Sequence, residues 1–214
     1  MTARLASLQV GRIAPLGPEA VPSGFIKRSI SGSVAVGSLG LDGDEQADLT
    51  VHGGPEKAVY GYAAEHYPVW ARDFPTLAER FQPGSMGENL TIAALREEDI
   101  CVGDVHAIGT ALLQVCQPRQ PCFKLALAMG EPRLGKAMVR NGRSGWYYCV
   151  LRDGAISAGD EVRLVERPNP GFAFSRLVTI VNLGGATMAE MQEMAEMPGI
   201  ASRIAAKARA ALAN

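Results

Sequence analysis

The sequence GDVHAIGTALLQVCQPRQPCFKL, at residues 103–125, carries the pattern that decides the fold. A Gly-Asp turn stands directly before a strand, which runs on through residues 111–117. Two prolines, Pro118 and Pro121, then stiffen a short loop that presents Cys122, because proline lowers the entropy cost of holding a loop in one shape. Residues 158–162 repeat the Gly-Asp turn before a strand. The chain is therefore expected to consist of short strands joined by glycine turns.

Short strands are predicted over most of the chain before residue 167. Candidate strands begin at residue 5 and lie at 25–30, 34–39 and 146–151, with a proline-rich loop expected at 15–24. The 24 Gly and 13 Pro supply the turns between them. A helix is expected at residues 65–74, where Pro68 is tolerable because it lies in the first turn, and a second short helix at 76–81. We predict a mainly β protein, built on a closed or nearly closed β-barrel with short helices.

The character of the chain changes after Arg167. Residues 168–171 read PNPG and predict a boundary. The Ala- and Met-rich residues beyond it favour helix, most strongly at 204–213. A methionine recurs every third residue from Met188 to Met197, and we interpret this stripe as core contacts between small helices, because Met fills irregular gaps. The prediction is a barrel domain at 1–167 and a small helical appendage at 168–214.

Composition excludes several classes of protein. Hydrophobic residues make up 47% and charged residues 20%, as in an ordinary globular protein. A net charge of -1 gives no reason to expect nucleic acid or an acidic membrane as a partner. No apolar stretch approaches the roughly 20 residues that span a bilayer, and residues 1–10 lack the apolar core of a signal peptide. We expect a cytoplasmic protein; the sequence leaves a monomer or a homodimer open.

Cys122 is the residue best suited to chemistry. Arg119 and Lys124 lie close to it in sequence, and nearby cations lower a thiol's pKa and favour the thiolate. A rigidly held thiolate is a soft ligand for a redox-active transition metal. The alternative is a cysteine that is merely buried or exposed. The other cysteines, Cys101, Cys116 and Cys149, are interpreted as packing residues.

A second candidate segment, VHGGPEK at 51–57, ends a long polar loop. Gly53 and Gly54 leave backbone N–H groups unshielded, and such nests bind anions, with Lys57 adding charge. His52 can donate a hydrogen bond to a phosphate or a cofactor ring; alternatively, it braces the loop. A basic turn at 140–143 offers Arg143 as a phosphate clamp, although a solvated loop is the favoured interpretation there.

Four segments taken together resemble the MOSC family, and in particular its YiiM-like branch. They are GLDGDEQADLTVHGGPEKAV at 40–59, SMGENLTI at 85–92, the segment at 103–125 and GRSGWYYCVL at 142–151. The resemblance covers about residues 1–165, and the tail resembles the three-helix appendage of the YiiM-like subgroup. It implies a β-barrel related to the pyruvate kinase barrel domain, with a pyranopterin molybdenum cofactor in a surface cleft.

The resemblance also implies roles for individual residues. The functional cysteine of the family matches Cys122, which is therefore expected to be both the metal ligand and the catalytic residue. The family's histidine-glycine loop matches residues 52–54, and its Gly-Glu-Asn-Leu segment matches residues 87–90. These are expected to line the cofactor cleft, with Asn89 and Arg119 as hydrogen-bond donors. Binding of the cofactor phosphate is left to Lys57, Arg119, Lys124 or Arg143.

The activity implied by the resemblance is reduction of small N-hydroxylated compounds, such as hydroxylaminopurines and amidoximes. Because the chain has no iron–sulfur spacing and no flavin motif, a separate electron-donor protein is expected as a partner. Two alternatives remain open. One is a sulfur carrier with a persulfide on Cys122, since some MOSC domains are fused to cysteine desulfurases. The other is a non-catalytic module that binds a cofactor or another small anion at residues 52–54.

Overall fold

The structure, a computed structural model, describes residues 2–49 and 52–213. The strands of this part of the chain are β1 (Arg4–Val10), β2 (Ala14–Leu16), β3 (Val21–Ser23), β4 (Arg28–Ser29), β5 (Ser33–Gly37), β6 (Gly40–Leu41), β7 (Val59–Ala63), β8 (Leu90–Ala93), β9 (Val105–Ile108), β10 (Ala111–Pro118), β11 (Trp146–Arg152), β12 (Gly154–Ser157) and β13 (Val162–Glu166). The helices are α1 (His66–Asp73), α2 (Phe123–Met129), α3 (Leu134–Asn141), α4 (Phe174–Leu183), α5 (Met188–Glu196) and α6 (Ser202–Leu212), with 3-10 helices at Pro55–Lys57 and Pro75–Arg80. Helix and strand occur in roughly equal amounts, so the expectation of a mainly β protein was wrong.

Eight strands form one mixed sheet in the order β13-β9-β10-β11-β7-β8-β1-β4. Its neighbours are antiparallel except for β7 and β8, which run parallel. The sheet is not closed as a barrel, which corrects the predicted fold. Within the described residues, an isolated bridge between Arg4 and Glu161 and three backbone hydrogen bonds beside it link β1 to the start of β13. Beyond Val162, β13 pairs with β9 and is exposed, so no continuous ladder joins the two edges.

Two smaller sheets, β12-β5-β6 and β2-β3, lie beside the main one. The β2-β3 hairpin falls where a loop was predicted, at 15–24. Pro15 and Pro22 are paired across it, and this is possible because a two-stranded ribbon has free edges at which proline's missing N–H is not needed. The strand predicted at 25–30 is reduced to Arg28–Ser29.

Most of the main sheet and the C-terminal helices share one hydrophobic core. Leu8 and Trp146 from the sheet lie in the same buried cluster as Phe174, Met194 and Ala208 from the tail. The rings of Trp146 and Phe174 meet edge to face, with centroids 6.5 Å apart. Each large apolar side chain buried in this way contributes about 1.5–3 kcal/mol. The tail is thus held by the core that it shares with the sheet, and the boundary at 167/168 stays a prediction.

The observed helices show where local sequence signals were sufficient to predict helical structure. The predicted helix at 65–74 is confirmed as α1, with Pro68 in its first turn. The short helix predicted at 76–81 is a 3-10 helix. Helices α2 and α3 were not predicted, and the basic turn at 140–143 is in fact the end of α3, where Gly142 takes a left-handed conformation with φ 73°.

The methionine stripe is only partly a core feature. Met194 and Met197 are buried, whereas Met188 is 60% exposed. Helix α5 instead begins with a capping box, in which Thr187 and Glu190 bond each other's backbone N–H groups.

In the ranges 2–49 and 52–213, no helix has the combined length and apolar character that crossing a bilayer requires.

Candidate functional site

Cys122 lies between the end of β10 and the start of α2. It is the residue directly before the helix, in an extended conformation with φ -118° and ψ 171°. The residue is half-buried, and it borders three cavities. The two prolines at 118 and 121 flank the loop that carries it. Its thiol is therefore held at the meeting point of several hollows and not within the core.

One of these hollows, of about 90 Å³, is called here the basic cavity. It brings together residues from six separate stretches of chain, at 23–27, 44–47, 52–60, 86–89, 119–124 and 147. Six of the predicted site residues line it, namely His52, Lys57, Asn89, Arg119, Cys122 and Lys124. The fold thus gathers most of the residues that the sequence singled out, although they are up to 72 positions apart in the chain.

The acidic residues at the basic cavity are already paired. Asp44 accepts a hydrogen bond from the Lys27 ammonium and another from Asn89 Nδ2 at 2.9 Å. Glu45 pairs with the guanidinium of Arg12 at 2.8 Å. Because these carboxylates are committed to other cations and donors, they do not offset the remaining positive charge. The cavity is consequently suited to an anion.

Arg119 is the most informative of the cations. Its side chain is buried, with the residue 4% exposed, and its guanidinium lies over the rings of Phe25 and Tyr60 at 5.7 and 5.6 Å. Its Nη1 also lies 3.3 Å from the sulfur of Met138. In the described part of the chain, no carboxylate forms an ion pair with it. Burial of an unpaired charge costs several kcal/mol, and an anionic ligand would supply the missing partner.

His52 contributes a neutral ring to the same cavity. Burial lowers the pKa of His52, and the nearby charges of Lys124 and Lys57 lower it further. Its Nδ1 atom is buried and has no hydrogen-bond partner within residues 2–49 and 52–213. An unpartnered buried polar atom costs about 1–3 kcal/mol, so this atom is available to a bound group.

The Nζ of Lys124 donates a hydrogen bond to the carbonyl oxygen of Pro22 at 3.2 Å. The glycines of the 52–54 loop do not border the cavity. Gly54 has a φ of 90° and precedes the 3-10 helix. A Cβ at Gly53 would come within 2.7 Å of Gln46 Oε1, so this glycine allows close packing of the loop. A role for the two glycines in binding stays a prediction, and Val51 lies outside the described residues.

Asn89 lines the cavity, but its amide is occupied by the protein. Its Oδ1 accepts from the backbone N–H of Tyr60 at 3.1 Å. Its Nδ2 donates to the carbonyl oxygen of Gln9 at 3.3 Å and to Asp44 at 2.9 Å. As it lies, Asn89 has no spare N–H group for a cofactor. Its observed contacts tie β8, β7 and β1 together behind the cavity wall.

The neighbouring Glu88 was not singled out from the sequence. It is fully buried and accepts hydrogen bonds from the Met86 backbone N–H at 3.1 Å, from Thr91 Oγ1 at 2.9 Å and from the Tyr67 hydroxyl. Burial raises the pKa of Glu88. Because Met86 and Gly87 line the basic cavity, Glu88 fixes the shape of that wall. Buried hydrogen bonds thus hold the Gly-Glu-Asn-Leu segment in place, and its role in binding stays a prediction.

Arg143 lies apart from the other predicted residues. Its Nη1 donates to Asp73 Oδ2 at 2.7 Å, and its guanidinium lies 4.9 Å from the centroid of the Trp70 ring. It borders a different cavity, next to His66 and Glu97. The structure does not bring it to Cys122, and a role in phosphate binding has no geometric support.

A larger hollow of about 410 Å³, called here the helical cavity, adjoins Cys122. One wall is the β10–α2 loop, and the facing wall is formed by α4, α5 and α6. It shares with the basic cavity the residues His52, Lys57, Gln120, Cys122 and Tyr147. The sequence did not predict this hollow, because its walls are more than fifty residues apart in the chain and meet only when the tail packs.

The other cysteines are more varied than predicted. Cys116 is fully buried, and its thiol donates to the carbonyl oxygen of Glu56 at 3.1 Å. Cys101 is also buried, whereas Cys149 is only half-buried and is not a residue of the core. The last residues of β11, to which Cys149 belongs, run out to the surface.

The fold and the thiol-centred site agree with a class of protein that sequence comparison identifies. Residues 48–163 match the MOSC domain, and the chain belongs to the MOSC family. Protein YiiM of Escherichia coli (strain K12) is 43% identical over 150 residues, which cover 70% of this chain and 67% of that protein. A protein named Reductase from Gibberella moniliformis is 35% identical over 197 residues, which cover 91% of this chain but 35% of the fungal protein.

The crystal structure of YiiM from Geobacillus stearothermophilus has the same overall architecture. It superposes with a TM-score of 0.82 at 32% sequence identity, covering 98% of this chain and 99% of that one. The match therefore includes the C-terminal helices as well as the sheet. The family recognised from the sequence is confirmed, and the fold is YiiM-like.

Proposed function

We propose that this protein binds a molybdenum cofactor through Cys122 and reduces N-hydroxylated compounds. The observation that carries the proposal is the position of Cys122, a half-buried thiol between a cationic cavity and a larger, mainly apolar one. A thiolate is the soft ligand that such a metal takes from a protein. The fungal relative named Reductase favours this function over sulfur transfer or simple binding.

The residues at Cys122 are suited to a pyranopterin cofactor with a terminal phosphate. Arg119 is a buried cation without a carboxylate partner in the described chain, and His52 holds an unpartnered Nδ1 atom. Lys57 and Lys124 add positive charge. The basic cavity, at about 90 Å³, is smaller than the roughly 300–1,000 Å³ of a pocket for a whole organic ligand. It therefore suits the anionic end of the cofactor.

The protein would supply few of the metal's ligands. Within the described ranges, no group of three or more His, Cys, Asp and Glu side chains is arranged to hold a metal ion. In the proposed arrangement, Cys122 would hold the metal as its protein ligand. This arrangement is consistent with a site in which the protein contributes orientation and electrostatics, while the cofactor performs the difficult step.

The bound cofactor supplies two-electron reduction with cleavage of the N–O bond, so that R–NH–OH, two electrons and two protons give R–NH2 and water. The roles of the protein follow from the site. Cys122 would hold the reacting centre in place, and Arg119 and Lys124 would balance the cofactor's negative charge. The helical cavity shields the substrate from water and directs its N–OH group toward Cys122. We propose that a separate protein delivers the electrons.

The decisive variant is Cys122→Ala in protein made in a molybdate-supplied host. We expect loss of bound molybdenum, measured by elemental analysis, and loss of benzamidoxime reduction with a chemical electron donor. The matched control is Cys149→Ala, because Cys149 is also a half-buried cysteine but borders neither the basic nor the helical cavity. Full activity in Cys122→Ala would refute the proposed function.

A further inference from the structure

We propose that the helical cavity is the substrate site, and that it selects flat, apolar N-hydroxylated compounds carrying an anionic group remote from the N–OH. The inference rests on the proposed function and names a substrate class for that same site. Four observations support it: the continuity of the cavity with Cys122, its apolar wall, the charges at its edge and the anchoring of the helix that carries those charges.

The helical cavity has the position and size of a substrate site. It borders Cys122 but not Arg119 or Asn89, which line the basic cavity. Its volume of about 410 Å³ falls within the roughly 300–1,000 Å³ of organic-ligand pockets. A compound held there would reach Cys122 without displacing the anion of the basic cavity.

The wall formed by the tail is mainly apolar. Ile180 from α4, Met191 and Met194 from α5, and Ile204 from α6 face the space. Unbranched methionine side chains adapt to ring systems of different outline. Buried apolar contact favours a flat hydrocarbon or heteroaromatic body over a strongly hydrated sugar or peptide.

The charges at the edge of this cavity are all positive. Arg203 and Lys207 stand four residues apart on α6, hence on one face of the helix, and both border the cavity together with Lys57. No Asp or Glu among the described residues borders it. Neither Arg203 nor Lys207 forms an ion pair in that part of the chain. A carboxylate or phosphate on the substrate is the complementary partner.

The position of these cations relative to Cys122 is fixed by the protein. The backbone N–H of Ala201 donates to the carbonyl oxygen of Cys116 in β10 at 3.0 Å. Glu56 accepts from both the backbone N–H and the hydroxyl of Ser202. The Glu56 carboxylate is thus bonded to Ser202 and not to Arg203. Burial, followed by the charge of Arg203, lowers the pKa of Lys57, which agrees with the closeness of the two cations.

The test compares benzamidoxime with 4-carboxybenzamidoxime, which differ in one carboxylate. Dissociation constants are measured on cofactor-loaded protein without a reductant, and KM and kcat with one. The double variant Arg203→Gln/Lys207→Gln should weaken binding of the carboxylate compound about tenfold, the loss expected for a charge-assisted hydrogen bond. Binding of benzamidoxime and the molybdenum content should be unchanged.

Two controls accompany this variant. Arg209→Gln removes a cation from the same helix that does not border the cavity, and it should affect neither compound. Ala211→Phe places a ring in the cavity and should weaken both compounds, whereas Ala206→Phe, at an exposed position outside the cavity, should not.

Equal effects of Arg203→Gln/Lys207→Gln on the two compounds would overturn the proposal. Loss of molybdenum in that variant would also overturn it, because the cavity would then hold the cofactor. Because binding is measured without turnover, the experiment can refute the proposed substrate class without refuting the proposed function, and the reverse. If the wild-type protein reduces neither compound, the proposed function is refuted, while the dissociation constants still decide which ligands the cavity prefers.

Discussion

The carboxylate of Glu56 accepts two hydrogen bonds from Ser202, at 2.7 Å from its backbone nitrogen and 3.0 Å from its hydroxyl. Glu56 belongs to the 3-10 helix that follows the His52 loop, and Ser202 is the first residue of α6. One side chain therefore joins the predicted anion-binding segment to the helix that carries Arg203 and Lys207.

Replacement of this carboxylate should loosen α6. We expect Glu56→Ala to lower the free energy of unfolding by about 1–2 kcal/mol, because a charged hydrogen bond to a helix start is lost. Binding of a carboxylate-bearing amidoxime should weaken at the same time. Chemical denaturation and the dissociation constant measure the two effects. Glu193→Ala, at an exposed position of α5, is the control; the same loss in both variants would contradict the prediction.

Variants of Arg119 and Arg143 test which of these two arginines binds the cofactor phosphate. The geometry of the site supports Arg119, whereas only the sequence suggested Arg143. Arg119→Met should keep or raise the stability of the cofactor-free protein, because it removes an unpaired buried charge. It should reduce bound molybdenum about tenfold, the loss expected for a charge-assisted contact to phosphate. Arg143→Met should leave the molybdenum content unchanged, since Arg143 is paired with Asp73. Elemental analysis measures the molybdenum content of both variants. A lower content in Arg143→Met alone would assign phosphate binding to Arg143 and not to Arg119.

His106 predicts a pH dependence of stability. Burial lowers the pKa of His106 from 6.5 to about 4, and its Nδ1 lies 2.8 Å from the Tyr148 hydroxyl. Between these two pH values the unfolded chain binds a proton that the folded protein does not, so stability falls as the pH is lowered from 6.5 to 4. The contribution reaches about 3 kcal/mol at pH 4.

His106→Asn should remove this part of the pH dependence. Unfolding free energies measured between pH 4 and 7 would show a shallower slope, by up to one proton, than in the wild-type protein. Equal slopes in the two proteins would show that His106 titrates normally when folded.

A mass measurement separates reduction from sulfur transfer. After incubation with a cysteine desulfurase and cysteine, the intact protein should carry no added sulfur on Cys122 in its cofactor-loaded form, because the thiolate is then bound to the metal. The cofactor-free protein is the comparison. A stable persulfide in the loaded protein that is passed on to an acceptor would establish the sulfur-carrier alternative.

The sequence predicted those parts of the molecule that depend on local signals. The strand before Cys122 and the helix around Pro68 depend on turn residues and periodicity within about ten positions, and both are present. The family resemblance then indicated which residues lie together at one site, and six of them line the basic cavity. Their chemical roles are still predictions.

The errors concern features that are decided by packing between distant segments. Local pattern does not reveal that β1 and β13 are joined only by an isolated bridge, between Arg4 and Glu161, and by a few backbone hydrogen bonds beside it. The short helices α2 and α3 are each eight residues or fewer, which is too short to be stable without tertiary contacts. Arg143 was considered as a phosphate clamp in a basic turn, whereas Asp73 and Trp70, 70 and 73 residues away in the chain, hold its guanidinium.

The hydrophobic core that the sheet shares with the C-terminal helices limits which truncations and substitutions the protein can tolerate. Phe174, Met194 and Ala208 fill space under the strands, so a truncation after residue 167 would open the interior to water and remove half of the substrate enclosure in one step. Arg203 and Lys207, by contrast, are exposed residues of α6 at the edge of the helical cavity. Substitutions of exposed residues on this one helix can therefore alter substrate preference. Substitutions in the core beneath it are limited to side chains of similar volume.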